Sequence, residues 1–165
     1  MYETANKVLE SVRELEITSE AFRQVSPNQW ESILKSIFEE FATTSNTSAT
    51  WLWENLKKQG VRFQTENSLN YIVSLFEPET NVWILFEDWD RTKRNGNYWL
   101  FEGNYGTTID VLNNMHGLEY YIVDKKMHWM IIENHHDILI GVGKPAESRL
   151  LELKELKGSV TTENQ

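Results

Sequence analysis

No cysteine occurs in the chain, and that absence removes disulfides, thiolate catalysis and cysteine-ligated zinc together while fitting a reducing compartment. Basic residues are scarce as well. The 165 residues hold 16 Lys and Arg against 25 Asp and Glu, a formal charge of −9, so a nucleic-acid backbone is repelled and general nucleic-acid binding is excluded. No stretch reaches the roughly 18 apolar residues of a membrane span, and residues 1–10 lack the basic start and apolar run of a secretory signal. A soluble cytoplasmic protein with no membrane association is therefore expected. The short catalytic motifs are missing too: there is no GxSxG elbow, no HExxH pair, no complete GxGxxG and no Walker lysine. Nothing in the sequence calls for a cofactor.

At this length a chain folds as one domain, expected over 1–157 with a polar, flexible tail at 158–165. The first 60 residues read as helical. Ala5, Val8, Leu9, Val12 and Leu15 make one apolar stripe; after Ser26 and Pro27, a cap and a first-turn proline, Trp30, Ile33, Leu34, Ile37, Phe38 and Phe41 make a second. Residues 18–22 suggest a short helical turn, and 49–59 a third helix stopped by Gly60. From 61 to 143 the periodicity becomes that of strands. Residues 70–76 and 82–86 read as a hairpin about the turn 77–81, 98–102 as a further strand, and 118–123, 127–133 and 138–142 as a meander. A helix capped by Thr107 or Thr108 and ended by Gly117 is inserted between them, and a last helix spans 145–157. Strands grouped between helices indicate an α+β fold with a mostly antiparallel sheet of about six strands.

Mapping the charge locates it. From Glu66 to Asp90 there are six acids and no Lys or Arg, so 25 residues carry −6. The same segment contains Tyr71, Trp83 and Trp89. Aromatic anchors in a field of one sign are what a protein-binding surface uses, the rings supplying buried area and the charge steering association. Glu77, Glu79, Glu87, Asp88, Trp89 and Asp90 are accordingly the candidate partner-binding residues, and the partner they imply is a basic protein. The competing reading assigns alternate residues of a hairpin to core and solvated face, with Trp83 buried. Trp30, Trp51, Trp83, Trp99 and Trp129 fall on predicted apolar faces, whereas Trp53 and Trp89 stand beside acids and are expected at the surface.

A second cluster, Glu133, Asn134, His135, His136 and Asp137, carries residue types that ligate zinc or iron or transfer protons. Its spacing is poor for a metal. Adjacent histidines on a strand point to opposite sides, and Asn and Asp are ordinary turn residues. A turn is the simpler account, with Glu133, His135, His136 and Asp137 as the alternative metal or acid/base site, which His116 and His128 are able to join. The glycines of 103–107 suit a strand-to-helix turn better than an anion cradle, and Gly143 is followed by Lys144 and then Pro145 instead of Ser or Thr. A third possibility is a small-ligand pocket on an open sheet face lined by Trp99, Tyr121 or Trp129.

The run Glu119-Tyr120-Tyr121-Ile122-Val123-Asp124-Lys125-Lys126, followed by Trp129 and the Glu133 to Asp137 cluster, resembles small acidic bacterial proteins of the immunity type, which neutralise toxins. The likeness is one of style over residues 50–143. It implies an antitoxin-like inhibitor without chemistry of its own, whose acidic surface masks the cationic active site of a toxin.

Overall fold

The computed structural model describes residues 3–88 and 97–163. In chain order the elements are α1 (Glu3–Glu14), β1 (Phe22–Gln24), α2 (Pro27–Phe41), a 3-10 turn (Leu52–Glu54), β2 (Val61–Gln64), α3 (Ser68–Ile72), β3 (Asn81–Glu87), β4 (Tyr98–Asn104), α4 (Tyr105–Asn113), β5 (Tyr120–Asp124), β6 (Met130–Glu133), β7 (Ile138–Val142) and α5 (Lys144–Glu163). The fold is α+β, as the grouping of strands implies. All seven strands join one sheet in the order β1-β4-β3-β5-β6-β7-β2, and every pairing is antiparallel.

β3 is the spine of that sheet, with β4 on one side and β5 on the other. Val82, Ile84, Leu85 and Phe86 are all fully buried, so both faces of the strand are covered and its sequence is a continuous apolar run instead of an alternation. α4 carries the chain from β4 across β3 to β5. At the far side α5 lies close on β7, because Gly141 has no side chain where a Cβ would meet Leu150 Cδ1 at 2.4 Å. Phe76 stacks on Trp129 with ring centroids 3.7 Å apart, and Arg149 sits over the outer face of Phe76 at 4.6 Å.

Several expectations are corrected. Residues 70–76 form no strand: α3 occupies Ser68–Ile72, and Ile72, Leu75 and Phe76 are buried at helical spacing. β3 therefore pairs with β4 and β5, not with that segment. The third helix over 49–59 shrinks to the turn at Leu52–Glu54, since Trp51 takes a left-handed conformation at φ 54°. Instead 42–57 makes a closed loop, with Ala42 bridged to Leu56, Thr43 N donating to Asn55 O at 2.7 Å and Lys57 N to Phe41 O at 2.8 Å. The segment expected as a helical turn at 18–22 leads into edge strand β1, whose Phe22 stacks on Phe101 at 5.6 Å. The inserted helix is capped by Asn104, whose side chain accepts from Thr107 N at 2.8 Å, and not by either threonine. β6 starts at Met130 because Met127 turns at φ 59°, and α5 runs to Glu163, past the expected end at 157.

Candidate functional site

Register puts Glu87 opposite Tyr98 and Leu85 opposite Tyr121, so Glu87, Tyr98 and Tyr121 share one face of the sheet. The Tyr121 hydroxyl lies 2.8 Å from Glu87 Oε2 and 2.8 Å from Glu119 Oε1. It has one proton to donate and two carboxyl groups to satisfy, so a protonated carboxyl must donate the second bond. Burial, then the hydrogen bond with Glu119, push the Glu87 carboxyl up to about 8, and Glu87 holds that proton at neutral pH. Burial keeps the Tyr121 hydroxyl protonated, reinforced by the charges of Glu87 and Glu119 once Glu87 loses its proton above about pH 8.

This buried group organises what lies above it. Glu87 Oε1 accepts from Trp51 N at 2.6 Å, and Tyr98 Oη donates to Ala49 O at 3.0 Å, so the 42–57 loop is pinned over the sheet end. Glu119 Oε2 accepts from His135 N at 3.2 Å and sits 2.8 Å from His135 Nδ1. The Glu119 side chain is 7% exposed and that of His135 43%; the imidazole stands at the surface on a buried carboxylate. Around it gather Trp51 and Trp53, each with its ring centroid 5.9 Å from that of His135, and His136 at 4.1 Å.

The turn that presents the two histidines is built locally. Asn134 Oδ1 accepts from His136 N at 3.0 Å and Ile138 N at 3.1 Å, and Asp137 turns the chain at φ 56°, a conformation Asp tolerates better than most residues. On the other face of the sheet Tyr120 opposes Glu133, and Ser68 Oγ donates to Glu133 Oε2.

Between these parts lies a cleft of about 460 Å³. Its walls are 66–70 leading into α3, the last turn of α4 with the residues after it, and the 133–137 turn. Glu66, Glu119, Glu133 and Asp137 line it, with His116 and His135, and no Lys or Arg stands among the described residues of the lining. The C-terminal end of α4 adds the negative end of its dipole. Among its residues, Asn134 Nδ2 and the Tyr120 hydroxyl are buried and make no hydrogen bond of ordinary geometry. Glu133 and Ser68 are the polar neighbours of that hydroxyl.

A family model matches residues 3–154, which takes in every residue of this site. The chain belongs to the DUF6756 family, a family of unknown function. No curated protein and no solved structure matches it. In this DUF6756 chain the four described residues of the six expected to form a partner surface do not come together. Glu77 and Glu79 are exposed in the turn before β3, while Glu87 is buried at its other end, on the order of 20 Å away along the strand. Asp88 is half-buried and accepts from Trp99 Nε1 at 2.7 Å; Trp89 and Asp90 lie outside the described residues. Glu87 thus belongs to the interior of this DUF6756 member and not to an acidic exterior.

The alternative cluster is dispersed as well. Glu133 turns to Ser68, His135 to Glu119, and the His136 ring lies edge-on to Trp53 at 5.8 Å, and among the described residues no three His, Asp or Glu side chains are placed to hold a metal ion. Of the other two histidines, His116 lines the cleft and His128 stands by Asp124 at 3.5 Å. Trp99, Tyr121 and Trp129 are core residues and do not line the cleft. Sequence reasoning missed Glu119, Tyr120 and Trp51 as site residues, and it offered Tyr121 as a pocket lining where the structure buries it between Glu87 and Glu119. Glu87 alone carried a readable signal, as an acid that closes a five-residue apolar run.

Proposed function

We propose that this chain is a non-enzymatic binding protein, of the immunity or antitoxin-like kind its sequence resembles, that holds a basic protein partner through the acidic cleft. The cleft lining carries the proposal: Glu66, Glu119, Glu133 and Asp137 are among its residues, and no Lys or Arg is among the described ones. Such a site attracts positive charge from a distance, because acidic residues unbalanced by Lys or Arg leave a negative potential over the cleft. Of the acidic segment Glu66 to Asp90 this proposal keeps Glu66, and it takes its other acids from Glu119, Glu133 and Asp137. The Glu119–His135 pair serves here to fix the turn that forms one wall.

The test is a titration of matched Arg/Lys-rich and Glu-rich peptides at low and high salt, with wild type and a Glu66→Gln/Asp137→Asn double variant. Both replaced acids are exposed, so the fold is retained. The cationic peptide is expected to bind, to weaken with salt, and to lose about three- to tenfold in the double variant. Binding indifferent to salt and to the double variant, or no binding of the cationic peptide, overturns the proposal.

A further inference from the structure

One string of hydrogen bonds joins the interior to both the 42–57 loop and the 133–137 turn. The ends of the loop are held by its own backbone, with Ala42 bridged to Leu56, but its middle rests on side chains at the sheet end. Glu87 Oε1 accepts from Trp51 N at 2.6 Å, Tyr98 Oη donates to Ala49 O at 3.0 Å and Asn97 Nδ2 donates to Ser48 O at 2.9 Å. From Glu87 the string runs through the Tyr121 hydroxyl to Glu119, 2.8 Å at each step, and from Glu119 Oε2 to His135 Nδ1, also 2.8 Å.

This string is complete only while one of its two carboxyls holds a proton, because Tyr121 has a single hydrogen to give. Without the extra proton, one carboxylate faces a hydroxyl oxygen that offers it nothing, and two buried anions stand on either side of one hydroxyl. The titratable groups described around Glu87 are Tyr98 from β4, Tyr121 from β5 and Glu119 just before β5, with His135 of the turn behind Glu119. The 42–57 loop contributes the main-chain N–H of Trp51. Among the described residues no Lys or Arg bonds to either carboxyl. Water is the remaining source of relief, and the loop lies between it and Glu87. Trp51 also stands at φ 54°, a left-handed backbone that an aromatic residue keeps only while its neighbours hold it.

We infer that the 42–57 loop is a proton-controlled strap, closed over the sheet end while the Glu87, Tyr121 and Glu119 string keeps its extra proton and lifted from Glu87 when that proton leaves. The device is independent of what the cleft binds. In the closed form the Glu87 carboxyl is pushed up to about 8, against an ordinary 4.5 that hydration restores on opening. Opening therefore releases a proton. The closed form is fully favoured below about pH 4.5, loses up to about tenfold per pH unit above that, and levels off near pH 8.

Amide hydrogen exchange of the full chain tests this, read by mass spectrometry at pH 6 and pH 8 and referenced to the intrinsic rate at each pH. Wild-type protection over 43–56 is expected to fall by about ten- to fiftyfold, while Glu87→Gln, which keeps a donor at that position at every pH, changes by less than about twofold. Wild-type protection independent of pH, or an equal fall in Glu87→Gln, overturns the inference. So does a loop that exchanges as slowly as β3 and β5, because it then opens only with the whole chain. A second measurement covers a variant that does not fold: in wild type the Glu87 carboxyl carbon and the Trp51 amide should titrate by NMR with one midpoint, and separate midpoints overturn the inference as well.

Discussion

Replacing Glu87 with glutamine tests the buried carboxyl pair through its proton. In the folded chain Glu87 keeps its proton up to about pH 8, whereas its ordinary value is 4.5. Between those limits unfolding releases a proton, so stability falls as pH rises, by up to about 1.4 kcal/mol per pH unit, and levels off above about 8. The total is at most about 5 kcal/mol. An amide imitates the protonated acid: its oxygen accepts from Trp51 N as Glu87 Oε1 does, and its NH₂ donates to Tyr121 Oη, leaving that hydroxyl to donate to Glu119. Glu87→Gln is therefore expected to match wild type within about 1 kcal/mol at pH 5 and to exceed it by about 2–4 kcal/mol at pH 8. Urea unfolding at pH 5, 6, 7 and 8, with slopes checked for constancy, measures it. Parallel pH profiles for the two proteins, or a variant less stable than wild type at pH 8, would refute the assignment of the shared proton.

Tyr121→Phe removes the hydroxyl that separates Glu87 from Glu119 and should cost about 2–3 kcal/mol at pH 7 by urea unfolding; a cost below about 0.5 kcal/mol would show that the hydroxyl bridges nothing of consequence. Gly143→Ala places a Cβ at 2.1 Å from His128 O at φ 90°, so a loss above about 2 kcal/mol is expected in thermal melts. Asn104→Ala deletes the α4 cap and should lose about 1 kcal/mol, whereas a Thr107→Ala or Thr108→Val change leaves that cap bond in place.

The parts of the fold that were legible in the sequence are those where periodicity and burial agree. α2 shows six apolar residues at helical spacing behind Ser26-Pro27, and it is found at Pro27–Phe41. The β5–β6–β7 meander shows apolar runs separated by turn residues; β6 and β7 lie inside the expected ranges and β5 runs one residue past its own, to Asp124. Misreadings came where a tertiary contact decides the backbone. Trp51 is left-handed and donates its N–H to Glu87, a residue 36 positions away, and no local pattern announces that. At three residues β1 is too short to show a period, and it exists because β4 offers it an edge. Residues 70–76 combine β-branched and aromatic types, which favour a strand, with helical spacing, and the chain follows the spacing. For the site, the overall acidic bias was readable, but its place was not. Sequence counts Glu87 among solvated acids; the sheet buries it and gathers Glu66, Glu119, Glu133 and Asp137 from distant positions.

The central claim is about location, so mapping where a cation lands tests it most directly. Backbone amide shifts recorded while an arginine-containing peptide is titrated into the labelled full chain should concentrate at 66–70, 116–119 and 133–137, and fade as salt is added. Shifts centred on Glu77 and Glu79, or a spectrum that the peptide leaves unchanged, would contradict the account.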